Sequence, residues 1–412
     1  MFKKNSTLLK YTLWVPVKRL SRFFALCVLL LGTLQLRADT VWVHHIGVGQ
    51  GDATLIVAYQ YNSTTLQVDT TSILIDAGNS SGKGEAVFDY INTELGTIKH
   101  LNYIITSHLH SDHIGGMPAV IAKLSINKWR VDYIIDRGAQ FEPSEDECYS
   151  PDGFVDNDPV QPFDLPGSKI YLAYEEEIKK FYPNKRFNPA PGIDLFRELK
   201  RPLSMSMLLV ASNGCTLIKY GSSFYQCPYV AKPDENDFSY AFLFSFQGFK
   251  YFTAGDLGGA PPYLDLETPL VDYFKTYPDK DFHFCTYKAS HHGSINSNNE
   301  VFINYVKPTL TIIPSALRSF SGTQLPGLAT LNRLANVGST ILYTYVYNTN
   351  PYSGTVSDFK DVKFVVVDPG YDQNIAIQVY SRNRSKSSPY GPEGAFINDG
   401  VVTCKKSHGL KK

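Results

Sequence analysis

Apolar and polar positions alternate along this chain in short runs, separated by clusters of turn residues. Residues 40–57, TVWVHHIGVGQGDATLIV, alternate on both sides of a glycine-rich centre, which predicts a bent strand or a hairpin. Residues 72–76 (SILID) predict a strand ending in an Ala-Gly-Asn turn. A helix is expected over 85–95, a buried strand over 101–106, a short helix over 117–124 and a strand over 131–136. From 138 to 202 the periodicity breaks down, apart from one helix near 172–181, and the stretch reads as an irregular insertion over one face. Strand character returns at 206–210, 215–220, 238–246, 249–253 and 282–288. Helices at 301–306 and 328–335 then alternate with strands at 309–313 and 340–346. Residues 362–367 and 374–380 pair as a closing hairpin, and residues 383–412 read as a loose, polar, basic tail. Two strand-rich halves, each with its helices, fit two packed sheets with helices outside, an α/β architecture. The pattern alone leaves the fold open.

Composition narrows the class. The chain has 412 residues, 43% hydrophobic and 19% charged, which excludes a disordered or collagen-like protein. Lys+Arg and Asp+Glu are both 39. Seven of the bases (Lys3, Lys4, Lys10, Lys18, Arg19, Arg22 and Arg37) fall within residues 1–38, which contain no acid before position 39 and include the apolar run FFALCVLLLGTL. That arrangement predicts a signal peptide over 1–38, with a retained N-terminal anchor as the alternative. The apolar run is short for a membrane span, so no stable span is expected after cleavage, and the protein is expected to be secreted or periplasmic. Cleavage would leave 32 bases against 39 acids, a net charge of −7. Such a balance is not that of a general nucleic-acid binder. Five cysteines remain after position 38. Cys215 and Cys227 are the pair that closes a short loop, against the alternative of five free thiols.

The chemistry concentrates in SHLHSDHIGG, residues 107–116. His108, His110, Asp112 and His113 lie within six residues, on a loop between an expected strand and an expected helix. On an extended loop His108 and His110 point to one side and reach one ion, while Asp112 and His113 turn toward a second position. Imidazole and carboxylate suit zinc or a similar borderline ion.

An HxHxDH loop after a buried strand resembles the signature of the metallo-β-lactamase superfamily. Ile75-Asp76-Ala77-Gly78, TAGDL at 253–257 and KASHHGS at 288–294 resemble the family's other elements in the right order. With VGQGDA at 48–53 and the Asn-x-x-Ser element from Asn236 to Ser239, the set resembles the hydrolase domain of the competence protein ComEC and its soluble relatives. The resemblance implies an αββα sandwich of two mixed sheets over residues 39–382. It implies one to two divalent metal ions, zinc or alternatively manganese. His108 and His110 would hold the first ion. Asp112, His113 and a late histidine would hold the second, and Asp256 would bridge them. His292, followed by a glycine, is favoured as the late ligand, which leaves His291 beside the substrate; the opposite assignment stays open. Asp112 and His291 are the expected catalytic groups, and Asp52, Lys288 and Ser294 are expected to support the ligands or touch substrate. One departure stands out. No histidine lies between His113 and His283, so a third histidine for the first site is missing: either another group, Asn236 or an oxygen ligand from the insertion, completes that site, or the site is weak.

These readings imply an exported hydrolase in which a metal-activated hydroxide attacks a phosphodiester. A β-lactamase or lactonase is the alternative enzyme, and a non-catalytic metal-binding envelope module is the alternative outside catalysis. The expected substrate is small or locally recognised, with nucleic acid not favoured, and aromatic residues of the insertion (Tyr149, Phe154, Phe163, Tyr171, Tyr174, Phe181 and Tyr182) are expected to wall it in. Seven acids between Glu142 and Asp158 read as a solvated surface.

Overall fold

A computed structural model describes residues 39–138, 169–222, 224–227, 233–279, 281–315, 317–320, 323–347, 356–367, 374–384 and 396–406. The expected leader, the acidic stretch 142–158 and Tyr149, Phe154 and Phe163 lie outside the described residues.

The first half of the chain builds one sheet from β1 (Thr40–His45), β2 (Thr54–Asn62), β3 (Gln67–Ile75), β4 (His100–Ile105), β5 (Arg130–Ile135) and β6 (Arg186–Phe187). The second sheet takes β7 (Met205–Ser212), β8 (Cys215–Leu217), β9 (Tyr225–Gln226), β10 (Ala241–Phe246), β11 (Phe249–Thr253), β12 (Thr286–Lys288) and β13 (Leu310–Ile313). After a small hairpin of β14 (Arg318–Phe320) and β15 (Thr323–Leu325), β16 (Thr340–Tyr343) joins the second sheet. The chain then returns to the first through β17 (Tyr345–Tyr347), β18 (Val356–Val367), β19 (Asn374–Arg384) and β20 (Ile397–Lys405). Strands β3 to β6 are parallel, as are β11, β12, β13 and β16. Parallel neighbours need crossovers. Helices α1 (Ser81–Leu95), α2 (Ser111–Ile114), α3 (Met117–Ile126) and α4 (Lys169–Phe181) supply them in the first sheet. After the short α5 (Leu195–Glu198), helices α6 (Glu267–Lys275), α7 (Glu300–Val306) and α8 (Leu328–Asn336) supply them in the second.

The period-2 alternation of each strand decides the layering. Val41, Val43, Ile56, Ile73, Ile75 and Ile105 face inward and meet Leu209, Phe242, Phe244, Tyr251 and Ile312 of the other sheet. The intervening Leu55, Val57, Leu74 and Ile104 face outward onto Val87, Ile91, Val120 and Ile121 of α1 and α3. On the far side, Leu243, Phe252 and Tyr287 pack against Leu270, Phe274, Phe302 and Leu334. The result is the expected αββα sandwich of two mixed sheets with helices outside.

Four expectations need correction. Residues 169–202 are not an insertion lying over the fold. Tyr171, Tyr174 and Ile178 of α4 are buried in the core beneath the first sheet, and Leu195 and Phe196 lie between the sheets. Behind them the Asp136 carboxylate takes Arg186 at 2.8 Å and accepts from the Tyr174 hydroxyl at 2.8 Å. The apolar stripe of this helix is made of tyrosines, which hides it from a hydrophobicity pattern. For the same reason Tyr171 and Tyr174 cannot wall in a substrate. Second, residues 397–405 are not loose: β20 pairs antiparallel with β19, and Cys404 is disulfide-bonded to Cys285. As an edge strand it buries little besides Cys404, so alternation is absent. Third, the strand expected over 340–346 is two strands in different sheets, divided at Thr344, whose N–H reaches the Ile313 carbonyl while its own carbonyl accepts from Lys360. Fourth, residues 235–238 form a 3-10 turn capped by Asp234, and strand begins only at Ala241. The Cys215–Cys227 disulfide is present.

Candidate metal centre

The C-terminal ends of the parallel strands converge on one edge of the sandwich, which is where open α/β sheets place their sites. Asp76 follows β3, Ser107 and the HxHxDH loop follow β4, Asp256 follows β11, and His291 and His292 follow β12.

Three histidines are tied down at Nδ1 and turn Nε2 toward one another. His113 Nδ1 lies 2.8 Å from Asp76 Oδ2, and its Nε2 is 3.1 Å from Asp256 Oδ1. His292 Nδ1 lies 2.7 Å from the Pro314 carbonyl, and its Nε2 is 3.2 Å from Asp112 Oδ2 and 3.5 Å from Asp256 Oδ2. His108 Nδ1 lies 3.2 Å from Ser107 Oγ, with Nε2 4.0 Å from Asp256 Oδ2. A fixed Nδ1 is how proteins orient a ligating imidazole. His110 joins the cluster through His108, their Nδ1 and Nε2 atoms being 3.1 Å apart.

Of the two late histidines, His292 is the one aimed at Asp112 and Asp256. His291 is less enclosed, with Nε2 3.6 Å from Asp256 Oδ2 and its ring 5.3 Å edge-on from Tyr263. Both adopt left-handed backbone (φ 49° and 53°). That costs about 1–2 kcal/mol per residue, and such strain persists where the surroundings over-determine it.

Whether a metal suits these residues can be tested on the polar atoms themselves. His113 Nε2, His292 Nε2 and Asp256 Oδ1 are buried without a hydrogen-bond partner among the described residues. Each orphaned polar atom costs about 1–3 kcal/mol, and here they converge. The ligand atoms of Asp112, His113 and His292 lie within 4.8 Å of one another, as do those of His108, His113 and Asp256. Electrostatics agrees. Burial disfavours charge on His113, yet Asp256 and Asp76 outweigh it and hold its pKa well above the ordinary value. The same contest, won by Asp256 and Asp112, pushes His292 up to about 9. Burial, opposed by His292 and His113, fails to raise Asp112 and Asp256, and both stay low. Burial and His113 hold His108 low. The carboxylates thus call for positive charge at their centre, and the donor set of imidazoles and carboxylates fits divalent zinc or manganese.

The supporting residues sort themselves by contact. Asp52, from the GQGD loop, donates its N–H to the Asp112 carbonyl at 3.2 Å and sits with its carboxylate 3.8 Å from His113 Nδ1. The loop fits because Gly51 has φ +124° and a Cβ there would lie 2.2 Å from the Asp112 carbonyl oxygen. Lys288 is 2% exposed and reaches the Asp52 carboxylate and the Gly255 carbonyl, so it positions the site instead of meeting substrate. Ser294 closes the turn after His292: its N–H binds the His291 carbonyl and its carbonyl accepts from Thr330. Asn236 places a buried Oδ1 with no hydrogen-bond partner among the described residues on the 235–238 turn, and the neighbouring Glu235 accepts from the Leu109 N–H at 2.7 Å and pairs with Arg137.

Sequence reading gave no role to Asp76, Ser107 or Glu267. Asp76 accepts from the Ser107 N–H and hydroxyl at 2.7 Å each as well as holding His113, and it does so in left-handed backbone (φ 60°). Its signal was an acid at a strand end just before Ala-Gly. Glu267, whose pKa burial pushes up to about 8, accepts the N–H groups of Asn298 and Asn299 and so fixes the segment that follows His292. Replacing Asp76 by asparagine is expected to weaken metal binding by about 10- to 100-fold, the usual cost of losing a ligand's orienting partner. A competition titration with a chelator measures it, and unchanged affinity would remove Asp76 from the site.

Residues 56–188 match the family model described as the metallo-β-lactamase superfamily. No curated protein matches the chain. Similar solved structures include a long-form RNase Z from yeast, at 11% identity and TM-score 0.35, covering 70% of this chain; this chain spans 39% of that protein's length. A metal-dependent hydrolase from Parabacteroides distasonis, described there as putative, aligns at 12% identity and TM-score 0.33, over 73% of this chain and 97% of its own. A Cronobacter sakazakii metallo-β-lactamase with a HARLDQ motif aligns at 14% identity and TM-score 0.28, over 60% and 76%.

Proposed function

We infer that this chain, whose residues 56–188 match the metallo-β-lactamase superfamily, is an exported metal-dependent hydrolase of a small or locally recognised phosphodiester. The observation that carries the reading is the convergence of three Nδ1-anchored histidines on Asp112 and Asp256. One or two zinc ions held by His108, His110, Asp112, His113, Asp256 and His292 would supply Lewis acidity and bring a bound water's pKa toward neutrality.

The protein's own groups do the rest. Asp112, with a quarter of its side chain exposed, accepts and holds the nucleophile's proton. His291, whose Nδ1 has no hydrogen-bond partner among the described residues, stands at the less enclosed side beside Tyr263. It is placed to hydrogen-bond a substrate oxygen. Asp52 and Lys288 keep the two loops in register.

Substrate class follows from charge. Asp52, Asp76, Asp112 and Asp256 crowd the centre, so attraction for an anionic diester has to come from the bound ions. Long nucleic acid needs many phosphate–cation contacts, and the chain beyond position 38 carries seven more acids than bases. Export is supported by the basic, acid-free leader and by the disulfides Cys215–Cys227 and Cys285–Cys404. No helix among the described residues is long and apolar enough to cross a membrane.

Purified protein assayed at one concentration is expected to cleave a bis-aryl phosphate and to leave long double-stranded DNA nearly untouched. Efficient DNA degradation with an inert small diester would overturn the substrate reading. Turnover of lactams or lactones alone would favour the alternative enzyme class.

A further inference from the structure

On the far side of β12 from the metal centre, three more ligand-type side chains meet. Cys285 directly precedes β12, Cys404 lies near the end of β20, and their disulfide joins the two. His283 Nε2 lies 3.4 Å from Cys404 Sγ. Its other ring nitrogen, Nδ1, is 2.8 Å from the Asp281 carbonyl. A carbonyl accepts and cannot donate, so Nδ1 carries the proton and Nε2 presents its lone pair to the sulfurs. This is the same orientation device that serves the ligating histidines of the centre. The ligand atoms of His283, Cys285 and Cys404 lie within 4.8 Å of one another.

We propose that His283, Cys285 and Cys404 form a second, thiol-gated metal site, closed as a disulfide and opened to zinc by a dithiol reductant. Opening is a two-electron exchange. The S–S bond breaks, each sulfur takes a proton to become a thiol, and the dithiol is oxidised to its own disulfide. Zinc then displaces the two thiol protons and takes two thiolates and the His283 imidazole, with water in the fourth tetrahedral position.

The geometry asks for little movement. Two thiolates on one zinc stand roughly 3.8 Å apart, given Zn–S bonds of about 2.3 Å in a tetrahedron. The Cα atoms are 5.4 Å apart, and side-chain rotation alone separates the sulfurs by that much. The backbone of β20 stays in place through its pairing with β19 from Asn374↔Lys405 to Ser381↔Ile397, so the ligands remain together after reduction. His283 is partly exposed and Cys285 and Cys404 are buried, which gives the ion an entry side and a dry sulfur side. Because β12 runs from this cluster to Lys288 and on to His292, the site ties the edge strand to the segment that delivers a ligand of the main centre.

Cobalt(II) tests this directly, because thiolate–cobalt charge-transfer absorption cannot arise from the main centre, whose donors are all nitrogen and oxygen. Oxidised full-length protein is expected to take up cobalt without that absorption. After reduction with a dithiol and its removal, about one further equivalent should bind and the absorption appear. Cys285→Ser should abolish the added absorption. His283→Gln should weaken the added site at least tenfold, with uptake by the main centre serving as the control for folding. Absorption that persists in Cys285→Ser would overturn the proposal, since the thiolates would then be elsewhere. No added cobalt on reduction, or unchanged affinity in His283→Gln, would overturn it equally.

Discussion

Asp112→Ala and His113→Ala are each expected to lower phosphodiester hydrolysis by at least ~10³-fold while the far-ultraviolet circular dichroism stays that of the parent. The two residues are one helical step apart on α2 and do different work. His113 is wholly buried, spans Asp76 and Asp256, and is the imidazole shared by both compact donor groups. Asp112 meets His292 at 3.2 Å and is the partly exposed carboxylate of the set. Losing His113 removes a ligand and takes from Asp256 one of its facing imidazoles, while Asp76 keeps its two hydrogen bonds from Ser107. Losing Asp112 frees His292 and removes the nucleophile's proton acceptor. Neither side chain belongs to the hydrophobic clusters that build the sandwich, so the fold should survive. Steady-state rates on a bis-aryl phosphate measure the effect, and turnover near the parent's in either variant would put the chemistry elsewhere.

The second large effect concerns stability. Lys288→Met is expected to destabilise the protein by about 3–5 kcal/mol, because breaking a buried pair from one side leaves an uncompensated charge. Burial already raises the Asp52 pKa, and Lys288 is the foremost group opposing that rise. Asp52 Oδ1 has no hydrogen-bond partner among the described residues, and His113 and His292 favour its charge less than Lys288 does, so they replace the ammonium only in part. In the double variant Asp52→Asn with Lys288→Met the orphaned charge is gone, and much of the loss should be recovered. Denaturant unfolding of the single and double variants measures both. A single variant within ~0.5 kcal/mol of the parent would mean that the pair is not the clamp between the GQGD loop and β12 described above.

How far the molecule was legible in advance depended on whether a signal was local. Alternation in β1, β2 and β3 carries its message within a few residues, and those strands form where expected, β3 starting earlier at Gln67. The HxHxDH loop is equally local, and the structure brings His108, Asp112 and His113 together with Asp256 and His292. What escaped was information held in long-range partners. The Ile75–Gly78 turn was legible, but the role of Asp76 in it shows only once Ser107 and His113, 31 and 37 residues on, fold against it. The apolar face of α4 is written in Tyr171 and Tyr174, whose burial depends on the sheet beneath them. The edge strand β20 shows no alternation, since one buried residue, Cys404, suffices to dock it through the disulfide.

The most direct test of the account is the metal content of the full chain after mild purification, measured by elemental analysis. The converging Nε2 atoms of His108, His113 and His292 about Asp256 predict about one to two equivalents of zinc, or of manganese in its place, falling sharply in His113→Ala. A chain with no bound metal, and none taken up on dialysis against zinc or manganese, would contradict it.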